Sequence, residues 1–509
     1  MLDLAPGLGG LALTSALLGI TSHVTYFSRG ESPFYHVTLL FYCFLFVPLL
    51  SIPFLTLVAN YSSLQALYTI GVAFWSFIGA IWFSMGVYRA FFHRLGGYPG
   101  PFAAKLTQLW RSGKNMRQEP YLVLGELHEK YGEYVRTGTY QRICVFSDTQ
   151  TRSFPSTKVT VIWWSRLLTI IPTAGPNEIS ITDPEALELV LGPKTKCVKS
   201  IWYDVNLPMT SLQQTRDKKA HAQRRRDGWD KAFNATGKTW CIKSNELDAN
   251  RNISPALRGY ESRVVKYADL LIYQLSKFGG EHKPVNASKW FYFFGFDVMG
   301  DLAFGKTFDM LKTGKSHPVV KLLKDASRPL AWLSPVPWLF SLLVNTVGGP
   351  IIKFINYSGE QVEQRKKMTP EEPDIMSYLL DSPSTSRFTP AEEKNWLYGD
   401  SRLIIIAGSD TTTTTLGFAS YYIAKYPSVA EKLRAELLEA GYDANPSDLS
   451  ILQRLPYLNG VIDETLRLHP PVPGGVYRQT PPEGLQIGER FIPGDITVIT
   501  PHHVIQRCK

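Results

Sequence analysis

The sequence predicts a mainly α-helical protein with a small β region, carried on an N-terminal multi-span membrane anchor. Three observations lead there. No charged residue occurs from 37 to 87. Residues 403–426 (LIIIAGSDTTTTTLGFASYYIAKY) read as one long buried helix ended by Pro427. Short apolar runs separated by Pro and Gly turns close the chain.

The totals narrow the function classes. At 509 residues there is room for an anchor and one large domain. The formal charge is +10, but the basic residues are interspersed with acids and form no arginine-rich tail. This argues against nucleic acid and for anionic lipid and an acidic protein partner. The five cysteines, Cys43, Cys144, Cys197, Cys241 and Cys508, show no paired spacing, so no disulfide framework is implied and a reducing compartment fits.

Taken in order, two apolar spans cover about 36–58 and 66–88, and a weaker third covers about 4–27. Each clear span meets the ~20 residues needed to cross a bilayer. The cations that follow, from Arg89 to Arg117, place the rest of the chain in the cytosol by the positive-inside tendency. We therefore expect an anchor over 1–94 with two or three transmembrane helices, and a catalytic domain over 95–509. The stretch 98–102 (YPGPF) stiffens the junction. Residues 121–131 predict a helix and 178–181 a strand. Asp183 and Pro184 start the next helix as cap and first-turn proline. Residues 139–174 and 234–254 fit no period.

Residues 218–229 (KKAHAQRRRDGW) predict a basic helix on which His221 and Arg225 share one face. That face is either solvated or holds an anion such as a carboxylate or phosphate. Residues 289–304 predict an aromatic core helix. Residues 458–468 predict a helix stopped by His469 and Pro470, with Glu464 and Arg467 spaced for a buried charge pair. Strands are expected at 475–478, 485–487 and 496–500.

Within 403–426, five threonines and two glycines are weak helix formers. A buried helix is still favoured over a transmembrane one, since Asp410 at mid-depth in lipid is costly. Thr hydroxyls can bond back to the carbonyl one turn earlier, bend the ladder and open a groove. Asp410 beside Thr411 has the makings of a proton relay.

Together these pieces resemble a fungal-type microsomal cytochrome P450, a heme–thiolate monooxygenase. The match rests on Pro99-Gly100-Pro101 after the anchor and the basic helix with His221, Arg225 and Trp229. It rests further on Ala407-Gly408-Ser409-Asp410-Thr411-Thr412, and on Glu464-Thr465-Leu466-Arg467 followed by LHPPVP and Arg478. The resemblance implies the P450 fold, heme b, and catalytic roles for Gly408, Asp410 and Thr411 in proton delivery. It implies that His221, Arg225, Trp229 and Arg478 hold the heme propionates, with Glu464 and Arg467 structural. It further implies a small apolar substrate receiving one oxygen atom from O2, NADPH–cytochrome P450 reductase as partner, the lipid bilayer as support and no nucleic acid. The location implied is the endoplasmic reticulum membrane, facing the cytosol.

The sequence departs from the family at its metal ligand. The family's Phe-x-x-Gly-x-x-x-Cys-x-Gly loop is absent, and Cys508 has neither the Phe nor the Gly context. We expect a domain truncated before that loop, with the metal ligand missing, and insertions at 139–174 and 234–254 read as translated introns. Removing the first joins RTG to PNEISI in the family's order. A heme-free membrane pseudoenzyme or interaction protein is the alternative.

Overall fold

The computed structural model describes residues 7–25, 51–116, 119–138, 177–206, 209–233, 255–280, 284–336, 348–382, 388–442 and 449–507. The segments 139–174 and 234–254, the expected span up to residue 50, and Cys43, Cys144, Cys241 and Cys508 lie outside them. The chain divides into two units. The first is Met1–Val205, Pro329–Val347 and Tyr477–Thr500; the second is Asn206–Arg328, Gly348–Val476 and Pro501–Lys509.

In the first unit, α1 (Leu8–Thr25) packs along α2 (Ser63–Val87). A capping box between Ser62 and Gln65 starts α2, which continues as a π-helical turn, Tyr88–Phe92. Leu8–Thr25 and Ser63–Phe92 are long and apolar enough to cross a membrane. Their outward faces expose Leu17, Leu18, Trp75, Trp82 and Phe83.

Helix α3 (Pro120–Tyr131) leads into β1 (Tyr134–Gly138), and α4 (Glu185–Leu191) follows β2 (Glu178–Ile181). The capping position of α4 falls on Pro184 rather than on the expected Asp183, whose carboxylate accepts from Glu185 N at 3.0 Å in the turn just before it. The remaining strands are β3 (Val198–Lys199), β4 (Tyr477–Gln479), β5 (Leu485–Ile487), β6 (Arg490–Ile492) and β7 (Thr497–Ile499). One sheet runs β1-β2-β7-β4-β3, parallel only between β2 and β7, and β5 and β6 form a hairpin. Ile179, Ile181, Val190, Cys197, Ile492 and Val498 fill the core. Gly100 is needed where it stands, because a Cβ there would come within 2.4 Å of the Arg136 carbonyl. Gly138 and Glu178 are register partners, so the ends flanking 139–177 meet as a hairpin's would.

The second unit is helical, and the aromatic helix expected at 289–304 is at its centre. Its helices are α5 (Lys218–Arg224), α6 (Pro255–Gly280), α7 (Ala287–Phe304), α8 (Pro318–Leu333, up to Arg328), α9 (Pro350–Lys366), α10 (Ile375–Leu380), α11 (Pro390–Lys425), α12 (Pro427–Glu439) and α13 (Pro456–Leu468). Helix α11, 36 residues long, is the axis, with α7 and α9 against it. It begins thirteen residues before the stretch singled out in the sequence, at a capping box of Thr389 and Glu392. It passes the threonines without a break. The hydroxyls of Thr411, Thr413, Thr414 and Thr415 donate to the carbonyls of Ala407, Ser409, Asp410 and Thr411 at 2.8, 2.8, 2.9 and 3.2 Å.

Gly399 sits where residues 210–212 cross α11, and a Cβ there would lie 1.6 Å from the Thr210 carbonyl oxygen. Backbone faces backbone, so no side chain can yield. Gly399→Ala is expected to cost about 3 kcal/mol or more. Gly417→Ala on the same helix, 3.9 Å from its nearest neighbour, should gain about 0.5–1 kcal/mol. Thermal denaturation of the two variants checks both signs.

Candidate functional site

The site grows from the two sides of α11. On one, Ser409 and Thr413 are buried against α7. Gly295 permits that approach: a Cβ there would meet the Ser409 carbonyl and Thr413 Oγ1, each at 3.1 Å. Thr413 Oγ1 also donates to the Phe291 carbonyl at 3.2 Å. On the other side, Ile406, Ala407, Gly408 and Thr412 are exposed along an otherwise buried stretch, with Thr411 half-buried beside them. An open strip on a core helix is a place for a flat apolar group or substrate.

Asp410 flanks this strip but turns toward α7 and α8. It accepts a hydrogen bond from the Tyr292 hydroxyl, with Lys324 nearby. Burial pushes its carboxyl above the ordinary range, partly offset by that bond and that cation. Thr411 donates to Ala407 rather than to Asp410. The two neighbours in sequence therefore reach different partners, as successive positions on a helix must.

The basic segment differs from the single helix expected. Helix α5 stops at Arg224 and a π-helical turn, Arg225–Trp229, follows, with Gly228 tight against Leu379. His221 is half-buried. Arg225 is held by Asp230, its Nε 3.1 and 3.2 Å from the two carboxylate oxygens. Trp229 stacks on Phe233 at 6.0 Å with its indole N–H beside Asp400. Arg225 and Trp229 thus each have a partner within their own segment. The sequence reading missed Arg224, the cation that is fully enclosed: its Nε donates to Asp400 Oδ2 at 2.8 Å.

In the first unit, Arg478 on β4 stands opposite Lys199 on β3 and bonds the Tyr203 hydroxyl. Lys199 is pushed down to about 8 by burial and by Arg478. Two cations directly opposed on a strand pair repel each other, and an anion between them relieves the repulsion. Lys199 was missed because a two-residue strand carries no readable period.

Glu464 and Arg467 do form their pair, bidentate at 2.6 and 2.7 Å, and Arg467 also donates to the Gln506 carbonyl at 2.6 Å. The expectation of burial is corrected: their side chains are 54% and 44% exposed. Spacing sets which residues meet on a helix, not which face is covered.

For the heme that the resemblance implies, the open strip of α11 is chemically suitable. The cysteine among the described residues is not: Cys197 is buried in the sheet core of the first unit, and among those residues no cluster of metal-ligating side chains occurs.

Removing one partner of the enclosed Arg224–Asp400 pair, by Arg224→Met or Asp400→Asn, is expected to cost about 3–5 kcal/mol. Arg467→Ala, in the exposed pair, should cost no more than about 1 kcal/mol. Asp410 binds its proton more tightly folded than unfolded, so its contribution falls as pH rises through the ordinary carboxylate range and up to its raised value. Asp410→Asn should therefore gain on wild type over that window, as read from denaturation midpoints.

The comparisons with known proteins show the family. The family model described as Cytochrome P450 matches residues 211–509. Cytochrome P450 monooxygenase FCK2 of Fusarium pseudograminearum (strain CS3096) is 34% identical, over 96% of this chain and 79% of its own length. Tryprostatin B 6-hydroxylase of Aspergillus fumigatus is 34% identical, over 98% and 80%. Cytochrome P450 monooxygenase notG' of Aspergillus versicolor is 36% identical, over 98% and 80%. With its helical unit, small sheet and relatives named as monooxygenases and a hydroxylase, the chain belongs to the cytochrome P450 family.

Proposed function

We propose that this chain serves a heme-dependent monooxygenase that inserts one oxygen atom from O2 into a small apolar organic substrate, within fungal secondary metabolism. The observation that carries the reading is the open strip Ile406–Gly408 and Thr412 on a helix whose other face is closed by α7. Heme b would supply the oxygen chemistry when bound. The chain's part is to line that strip and hold protons beside it. Thr411, anchored by its bond to the Ala407 carbonyl, keeps its oxygen's lone pairs free to accept a proton donor at the strip. Asp410, its carboxyl raised by burial, is the neighbouring proton store. Gly408 leaves the strip without a side chain, and Met299 lies 3.0 Å from where its Cβ would be.

In this reading His221, Arg225, Trp229 and Arg478 face the propionates, with Lys199 added by its pairing with Arg478. Residues 1–94 anchor the protein in the endoplasmic reticulum membrane. Residues 95–509 face the cytosol and take electrons from NADPH–cytochrome P450 reductase. None of Cys43, Cys144, Cys197, Cys241 and Cys508 is the axial thiolate. Residues 139–174 and 234–254 are insertions into the family's pattern. The adjacency of Gly138 and Glu178 supports the first of these.

Reconstituting chain 1–509 with hemin and reducing it under CO tests the ligand assignment. We expect no thiolate-type Soret band. A band abolished by Cys508→Ser or Cys197→Ser would overturn it, whereas folded, membrane-bound, heme-free protein is the outcome the pseudoenzyme reading requires. In the product of the mature transcript, sequenced across codons 138–175 and 233–255, Thr411→Ala is expected to let O2 consumption continue while hydroxylated product falls about tenfold or more. Unchanged coupling would remove Thr411 from the proton path.

A further inference from the structure

A second concentration of unsatisfied chemistry lies where the apolar helix α2 ends. The helix continues without interruption into the π-helical Tyr88–Phe92 and stops at His93, whose backbone is extended. Arg136, on β1, is 0% exposed. Its Nη2 donates to the Arg89 carbonyl at 3.3 Å, while Nε and Nη1 have no acceptor. A guanidinium carries five donors and keeps its proton. Burying it with donors unmet costs the full desolvation of those groups.

The groups acting on Arg136 do not answer that need. They are the like-charged Arg89 and the phenol hydroxyl of Tyr88. His93, buried between Arg136, Arg94, Arg89 and Asn177, is pushed down to about 3, mostly by burial, and so adds no charge. Arg94 donates to the Gly494 carbonyl at 2.9 Å and has the Asp495 carboxylate acting on it, and Arg89 donates to the Leu106 carbonyl at 2.8 Å. Arg94 is exposed and Arg89 half-buried, whereas Arg136 is enclosed. Phe91 and Phe92, each 72% exposed, lie between Arg89 and Arg94 on the same segment.

The unmet donors of Arg136, with the guanidinium groups of Arg89 and Arg94 around the same His93, suit a tetrahedral oxyanion, which accepts several charge-assisted hydrogen bonds at once. We propose that Arg89, Arg94 and Arg136 form a phosphate-binding site at the end of the apolar helix. Its place beside exposed phenylalanines, at headgroup depth if Ser63–Phe92 spans the bilayer, favours the phosphate of an anionic lipid over a free one. That preference rests on the membrane anchor proposed above; the site itself does not.

The full chain, purified in neutral detergent, is titrated with phosphatidic acid, with diacylglycerol and separately with inorganic phosphate. Lipid retention is read by native mass spectrometry and stabilisation by the denaturation midpoint. Wild type is expected to retain phosphatidic acid over diacylglycerol, and Arg136→Met to lose about 10–100-fold in that retention, the loss of charge-assisted hydrogen bonds. Should Arg136→Met fail to fold, the exposed Arg94→Gln should still weaken retention with an unchanged midpoint. Retention of the lipid with no response to inorganic phosphate assigns the headgroup. Equal stabilisation by inorganic phosphate keeps the site and makes a soluble phosphate its ligand. Binding of neither, or retention indifferent to both substitutions, overturns the proposal. Flotation of wild type with vesicles of neutral lipid tests the anchor independently.

Discussion

Asp400 lies wholly inside the helical unit, with Arg224 Nε 2.8 Å from one oxygen and the Leu212 amide 2.9 Å from the other. A carboxylate taken out of water costs several kcal/mol unless it is paired and hydrogen-bonded. Three separate segments must therefore arrive together: α5, the crossing at 210–212, and α11. The neighbouring Gly399 makes room for the crossing. Once α11 is pinned at this point, its register against α7 is set further along by Gly295 and Thr413, and the strip from Ile406 to Thr412 is left facing outward.

The threonine run illustrates how a weak sequence becomes a strong element. Intrinsic propensity disfavours it, yet four of its five hydroxyls find a carbonyl one turn back, and burial against α7 supplies what propensity withholds. The fifth, that of Thr412, lies on the exposed side. The groove expected from a bent helix is instead an uncovered face on an unbroken one.

The chain's excess of positive charge is not spread evenly in space. It gathers in opposed or converging cations, Lys199 with Arg478 and Arg89 with Arg136, both in the unit that carries the apolar helices. Each sets like charges near one another, a repulsion that an anion between them would relieve. This is a more specific statement than the net charge of +10 permits.

By itself, the sequence determined the elements whose cause is local. The apolar runs, the turn at Asp183 and Pro184, the aromatic helix near 289–304 and the spacing of Glu464 to Arg467 depend on neighbours within one turn or two. The same holds for the family motif on α11, whose residues are contiguous. Only the tertiary structure decided which face each element shows. It turned Asp410 to Tyr292, enclosed Arg224, left Glu464 and Arg467 exposed, and set Lys199 against Arg478. Those outcomes depend on residues tens to hundreds of positions away. A periodic pattern records where a side chain sits on its own element, but not what the fold brings to meet it.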